Sequence, residues 1–316
     1  MSEIILSTQG LTKTYGNIPA VSDVNLTVNK GDIYGFVGKN GAGKTTFMRM
    51  ISGLASPTSG SFELLGARSS DARRLLAARG KICAMIETPA IYMNMTAQDN
   101  MKTQCLLCNQ PQSKIRELLE TVELSSTGTK KAVNFSLGMK QRLGLAMAIL
   151  KRPEFMLLDE PTNGLDPDGI QKIRNLLLRL NAEQGITIMV SSHILGELKL
   201  LATRYGFIHN GKLINEISAA DIEKSAKPAS ELYISDVGRG LLVLRNMGIE
   251  CTVSQGKVIV YGDFDITAVA VALKENSITL HNLVHGTFDL EKYFMELIGN
   301  PMAARNYIDP FGGGKA

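Results

Sequence analysis

Hydrophobic positions along the chain follow several distinct rhythms. Over residues 1–35 apolar and polar residues alternate (Ile4, Leu6; Val24, Leu26, Val28), with turn residues at Gly16–Asn17 and near Gly31. That alternation predicts short antiparallel strands. Ile33–Val37 is a compact apolar strand followed at once by GKNGAGKTTFMRMISGL, and residues 44–54 have helical spacing that stops at the SPTSG cluster. A strand pair is expected through residues 61–66 and 81–86. From about Thr96 to Leu150 the pattern turns helical, with Ile115, Leu118, Leu119 and Val122 on one face. Residues 155–158 are continuously apolar and residues 186–190 are broken only by Thr187, so both read as strands buried on both faces of a parallel sheet. A helix over 170–180 lies between them. Strand–helix–strand alternation of this kind argues an α/β core with a parallel sheet.

After about Ala220 the texture changes. SAKPAS reads as a linker. Residues 230–299 mix two strand-like stretches (232–234 and 257–261) with two helix-like ones, the last over 290–297, as expected of a small α+β unit. The tail from Pro301, with PFGGGK near its end, is expected to be disordered. The expected domains are therefore 1–222, with a helical subdomain at about 88–150, then 223–300, then a tail at 301–316.

Composition narrows the class. The 316 residues are 44% hydrophobic and 20% charged, enough apolar material for a buried core and far from a disordered or collagenous chain. Four scattered cysteines (Cys83, Cys105, Cys108, Cys251) are too few to staple a chain of this length, which favours a reducing compartment. The longest apolar stretch, near residues 143–150, is far short of the roughly 18–20 residues that cross a bilayer. The first residues carry Glu3 and no basic run, so a signal peptide is not expected. A soluble cytoplasmic protein is the starting expectation. Charge is uneven: residues 221–316 hold 9 Lys/Arg against 12 Asp/Glu, while residues 1–220 carry a net +7. A basic first part suits a polyanion such as a nucleotide, and no basic run supports nucleic acid.

Three stretches carry chemistry. Gly38-Lys39-Asn40-Gly41-Ala42-Gly43-Lys44-Thr45 matches GxxxxGK[ST] between a predicted strand and a predicted helix. Glycines let backbone N–H groups turn inward around phosphate oxygens, and the next helix aims its positive end at the same place. Lys44 would reach the outer phosphates and Thr45 would offer its hydroxyl to Mg²⁺. The apolar run 155–158 ends in Asp159-Glu160, and a parallel strand delivers such residues to the crevice holding the glycine loop. Asp159 is then placed to hold Mg²⁺ and Glu160 to polarise an attacking water. Finally, Phe135-Ser136-Leu137-Gly138-Met139 opens a long apolar helix, with Ser136 as its N-cap and Gly138 leaving room for a phosphate. Taken alone, this last stretch is an ordinary capped helix.

Together and in this order, the motifs over residues 3–220 resemble those of ABC transporter ATP-binding subunits. Walker A is residues 38–46, including Thr46; the signature loop is 135–139; Walker B is 155–160. The D-loop is Asn163-Gly164-Leu165-Asp166, the switch histidine is His193 in SSHILGEL, and Tyr15 stands where the family stacks an aromatic ring on adenine. The resemblance implies a P-loop NTPase core with an antiparallel β subdomain and a helical subdomain, plus the small C-terminal α+β domain. It implies ATP and Mg²⁺ as cofactors, the latter held by Thr45, Asp159 and Glu87. It also implies a homodimer in which Ser136, Leu137, Gly138 and Met139 serve the other protomer's ATP. Lys44, Glu160 and His193 would be catalytic, and a separate permease would hold the subunit at the cytoplasmic face of the membrane, with no nucleic acid partner.

Two departures stand out. The signature reads Phe-Ser-Leu-Gly-Met where the family has Leu-Ser-Gly-Gly-Gln, and Glu87 stands where the family has a glutamine. An ionised Glu only accepts hydrogen bonds, whereas Gln also donates. With SLGMKQRLGLA and the appended domain, both departures resemble the ATPases that export or clear peptide antibiotics such as bacitracin and lantibiotics. The alternatives are a transporter for another substrate, or a soluble ABC ATPase acting on ribosomes or DNA; those usually carry two cassettes or long coiled coils, and neither is in this sequence. A regulatory module that binds ATP without turnover is disfavoured by Asp159, Glu160 and His193. Cys105 and Cys108 form one CxxC without the partners of a zinc site and are expected to be helical thiols. His281 and His285 are spaced to share a helix face, and Met93 and Met95 are expected to be interface or core filler.

Overall fold

A computed structural model describes residues 3–225, 229–254, 256–285 and 290–299. The chain forms two units, Met1–Ala219 and Ala220–Ala316. In the first, β1 (Ile4–Tyr15), β2 (Ile18–Val24) and β3 (Thr27–Asn29) precede β4 (Ile33–Val37), which runs through the glycine loop into α1 (Lys44–Ser52). Next come β5 (Ser59–Leu64), β6 (Ala67–Arg68), α2 (Ala72–Arg79) and β7 (Ile82–Met85). A helical segment follows: α3 (Ala97–Leu107), α4 (Ile115–Thr121) and α5 (Leu137–Ile149), joined by short 3₁₀ turns. The chain then alternates through β8 (Phe155–Asp159), α6 (Pro167–Gln184), β9 (Thr187–Ser192), α7 (Leu195–Lys199), β10 (Arg204–His209) and β11 (Lys212–Ser218). The helix α8 (Ala219–Ser225) begins at the division between the units.

The alternating N-terminal residues form an antiparallel sheet in the order β2-β1-β5-β6, with β3 also paired to β1. The apolar runs form a second sheet, β11-β10-β4-β9-β8-β7, in which every pair except β10–β11 is parallel. All of β4, β8 and β9 is buried, as their unbroken apolar character requires of strands covered on both faces. Phe36 and Phe47 meet at 5.1 Å between ring centroids and share a core with Met50, Ile51, Leu157 and Met189, which fixes α1 against this sheet. Each such fully buried side chain contributes roughly 1.5–3 kcal/mol.

One pairing differs from expectation. Residues 61–66 and 81–86 do not form a strand pair: β5 pairs with β1 in the antiparallel sheet, whereas β7 pairs with β8 in the parallel one. The chain between them forms α2, capped by Asp71, whose carboxylate accepts from Arg74 N. Charges at both ends of ARRLLAAR blur its helical face, but Leu75 and Ala78 are buried. Arg79 at its end donates to Ile51 O and Met50 O, satisfying carbonyls at the end of α1.

The second unit contains β12 (Ala229–Ile234), α9 (Val237–Asn246), β13 (Cys251–Ser254), β14 (Lys257–Tyr261), α10 (Ile266–Glu275), β15 (Leu280–His285) and α11 (Leu290–Gly299). Its all-antiparallel sheet has the order β13-β14-β12-β15, a βαββαβ arrangement. Leu232, Val258 and Val260 pack with Leu244, Val269 and Leu273 of the helices. His281 and His285 lie on the strand β15, so the shared helix face expected from their spacing does not exist. Of the linker expected at 225–230, Ser225 ends α8, Ala229 and Ser230 open β12, and 226–228 lie outside the described residues, as does the whole tail at 301–316. Among the described residues no helix is long and apolar enough to cross a membrane.

The helical segment is anchored by Asn100, which is fully buried. Its Oδ1 accepts from Tyr92 N at 2.7 Å, and its Nδ2 donates to Tyr92 O at 3.0 Å and Thr96 O at 2.9 Å. Asn100→Ala removes all three bonds from a fully buried position; Tyr92 O keeps Met95 N and Thr96 O keeps the Asn100 amide, but Tyr92 N loses its Asn100 partner. The expected outcome is a loss of about 2–3 kcal/mol in urea denaturation with faster amide exchange over residues 92–96; a loss below about 0.5 kcal/mol, within the range of an ordinary surface substitution, would contradict it.

Candidate functional site

Three adjacent parallel strands bring the glycine loop, the Asp159-Glu160 pair and His193 to one edge; the signature stretch 135–139 lies elsewhere, at the start of α5. In the order β4-β9-β8, Val37 lies opposite Ser192, and Ser191 lies opposite Asp159. The chain leaves β4 into the glycine loop, β8 into Glu160 and β9 into His193, so in-register pairing alone sets these groups beside one another.

The loop wraps an open cleft of about 180 Å³ lined by Ala20, residues 40–46 and Glu160. Glycine is required at Gly43: its φ is 109°, and a Cβ there would come within 2.4 Å of Ala20 O. That close approach lets the backbone turn its N–H groups inward just before α1 begins at Lys44. Lys44 is 5% exposed. Its ammonium donates to Gly38 O at 2.7 Å and Lys39 O at 3.2 Å, and it lies 3.3 Å from Glu160 Oε1. A buried cation is thus held beside the glycine loop, against two of its carbonyls.

Both Asp159 oxygens are fixed. Thr45 Oγ1 donates to Oδ2 at 2.6 Å, and Ser191 Oγ donates to Oδ1 at 2.5 Å. A hydroxyl and a carboxylate oxygen adjoining the cleft are the hard donors that suit Mg²⁺, so this pair fits that ion. Glu160 follows in a left-handed backbone conformation (φ 48°), uncommon for a non-glycine residue and held by its amide, which donates to Ser191 Oγ at 2.9 Å. Its Oε2 lies 3.0 Å from His193 Nδ1 and accepts from Asn163 Nδ2 at 3.2 Å. Ser191 therefore ties both acids to β9.

The structure separates the remaining expected residues. Glu87 pairs with Arg49, one turn along α1 from Thr45, so its carboxylate is engaged there and not with Thr45 or Asp159. Tyr15 ends β1, half exposed, with the Lys13 ammonium 5.1 Å from its ring centre, and does not line the cleft. Ser136 caps α5, accepting from Met139 N at 3.3 Å. Asp166 caps α6, accepting from Gly169 N at 3.1 Å. Neither Ser136 nor Asp166 lines the cleft of its own chain.

Sequence reasoning missed Ser191, Asn163 and Arg49 as partners of these groups. Ser191 had a signal, because it stands just after the apolar run 186–190 and before His193; Arg49 had none, because its partner is 38 residues away. Cys105 lies on α3 and Cys108 at its C-terminal end. Burial pushes the Cys105 thiol up, and pushes the Cys83 thiol up to about 12 with the Cys108 thiol adding to the effect. Among the described residues no group of three His, Cys, Asp or Glu is placed to hold a metal ion.

Known proteins are similar to this chain. The family described as ABC transporter matches residues 21–163. The chain is 40% identical over 309 residues to YcbN of Bacillus subtilis, an uncharacterized ABC transporter ATP-binding protein, covering 95% of this chain and 99% of that one. It is 40% identical over 300 residues to the bacitracin transport ATP-binding protein BcrA of Bacillus licheniformis, covering 93% and 97%. With the lantibiotic transport ATP-binding protein SrtF of Streptococcus pyogenes it shares 45% identity over 212 residues, 67% of this chain and 90% of that one. A dimeric ATP-binding cassette, MJ0796, solved with ADP and Pi, superposes with a TM-score of 0.61 at 27% identity, covering 68% of this chain and 98% of that one.

Ser191→Ala removes one of the two donors on Asp159 and one of the two acceptors of the Glu160 amide, leaving that amide the Ser191 O at 3.2 Å. A hydrogen bond to a charged group is worth about 1.5–3 kcal/mol, so steady-state phosphate release should fall roughly 10- to 100-fold and need more Mg²⁺. An unchanged rate and Mg²⁺ dependence would remove Ser191 from the site.

Proposed function

The chain belongs to the ABC transporter ATP-binding proteins, which are ATPases, and we propose that it drives a separate membrane permease that exports or clears a peptide antibiotic of the bacitracin or lantibiotic kind. The observation that carries the ATPase part is the convergence of Lys44, Thr45, Asp159, Glu160 and His193 on one sheet edge. The antibiotic part is supported by likeness to BcrA over nearly the whole chain, the C-terminal unit included.

The chemistry follows from the site. The loop amides and the Lys44 ammonium bind the phosphates and neutralise charge that grows on the transferred phosphoryl group. Glu160 orients the attacking water and accepts its proton. His193, hydrogen-bonded to the same carboxylate, contacts the γ-phosphate and steadies that water. Thr45 and Asp159 are the residues that would hold Mg²⁺, which would supply further charge neutralisation.

Two copies are needed for the complete site. The N-terminus of α5 at Ser136 adds anion stabilisation only when brought to a γ-phosphate, and the chain has one glycine loop. A head-to-tail dimer supplies it, a reading supported by the dimeric cassette above. Permease docking fits the segment after Glu87, where Tyr92, Met93 and Met95 are exposed, along with Leu106 and Leu107 at the end of α3. Through Arg49 on α1, Glu87 would carry the state of the nucleotide to that surface. This docking places the subunit at the cytoplasmic face of the membrane.

Glu160→Gln tests the reading. Phosphate release should fall about 100-fold or more while ATP still binds. In cells expressing the chain with the permease genes beside it, bacitracin tolerance should rise and Glu160→Gln should abolish the rise. Unimpaired turnover in the variant would contradict the ATPase mechanism; tolerance that ignores the variant would contradict the antibiotic assignment.

A further inference from the structure

In the signature loop and the D-loop, a leucine of each stands in the space that a side chain on the other loop's glycine would take. Gly164 has φ 75°, and a Cβ placed on it would lie 3.2 Å from Leu137 Cδ2. Conversely, a Cβ placed on Gly138 would lie 3.7 Å from Leu165 Cδ2 and 3.9 Å from Gly169 Cα. Leu137 of one loop thus covers the glycine of the other, while Leu165 covers the glycine beside Leu137. Gly169 closes the arrangement from the first turn of α6, because its amide holds the Asp166 cap.

This arrangement continues into the chain's own cleft. Asn163, the residue before Gly164, donates its side-chain amide to Glu160 Oε2 at 3.2 Å, and its backbone N–H donates to Glu160 O at 3.1 Å. The Glu160 carboxylate is therefore one hydrogen bond from Asn163, which adjoins Gly164, the glycine whose side-chain space Leu137 takes up. Leu137 is 43% exposed, so it is not retained there to fill a core. Where the family has glycine at this place, nothing beyond Cα would reach Gly164.

We propose that Leu137 is a positioning residue that locks the signature loop to its own protomer's D-loop, so that the state of Glu160 at one ATP site sets the signature loop serving the other. The inference rests on the dimer reading above, in which each signature loop faces the partner's nucleotide. It assigns the unusual residue of the signature a coupling role, distinct from touching phosphate. Two-state coupling of this sort requires a contact that both sites bias, and the Leu137–Gly164 contact has one end at each.

The test uses the full chain and phosphate release against MgATP concentration. The unsubstituted chain should show a Hill coefficient above 1, up to about 2 for two sites. Leu137→Gly should bring it down to about 1 and lower kcat, and Leu137→Met, which keeps a methyl within reach, should hold the parent value. Gly164→Ala crowds Leu137 and strains the backbone, so it should also lower kcat. Combined with Leu137→Gly it should recover part of that loss, because the methyl it meets is gone. A Hill coefficient of about 1 in the parent chain, an unaltered one in Leu137→Gly, or strictly additive losses in the double variant would each overturn the proposal. Size-exclusion of Glu160→Gln with ATP separates the two levels. If no ATP-dependent dimer forms, the dimer reading falls and this inference with it; if the dimer forms and Leu137→Gly keeps full cooperativity, only this inference falls.

Discussion

The parallel register of β4, β9 and β8 is the constraint on which everything else depends. Three apolar strands buried on both faces leave their ends at one level, and each end carries one polar motif. Only burial on both sides makes such strands rigid enough to hold a hydroxyl, two carboxylates, an ammonium and an imidazole within hydrogen-bond distance of one another. The middle strand contributes most: Ser191 holds Asp159 through its hydroxyl and Glu160 through the amide, so the two acids share one anchor.

Electrostatics then sets the function. Lys44 is buried against two loop carbonyls and the Glu160 carboxylate, a balanced arrangement of one cation, one anion and two dipoles. A triphosphate offers the same ammonium more negative charge. Glu160, released from Lys44, keeps His193 and Asn163 as partners. The Glu160 carboxylate is thereby tied to Asn163, beside Gly164. Two of the residues that depart from the family pattern, Leu137 and Glu87, face other segments, at Gly164 and at Arg49.

Local signals were legible wherever chemistry and burial coincide in sequence. The strand 33–37, the glycine loop, the acids after the run 155–158 and the Ser136 cap could all be read directly, because each is set by neighbours within a few positions. Partnership across distance could not. Residues 61–66 and 81–86 have equal claim to pair, and only the fold sends β5 to β1 and β7 to β8. The spacing of His281 and His285 is compatible with one face of a helix or one face of a strand, and β12 decided for the strand by pairing with that segment. The glutamate at 87 was visible as a departure, but its tie to Arg49 depends on how α1 lies beside that loop.

The central claim is that the amides of the glycine loop and the Lys44 ammonium form an anion pocket for a nucleoside triphosphate. Titration calorimetry with ATP in the presence of magnesium measures this most directly. Saturable heat of binding in the parent chain, lost in Lys44→Ala while the circular dichroism of the fold is retained, is the predicted result. Absence of binding heat in the parent chain, or undiminished binding in a folded Lys44→Ala variant, would contradict the account.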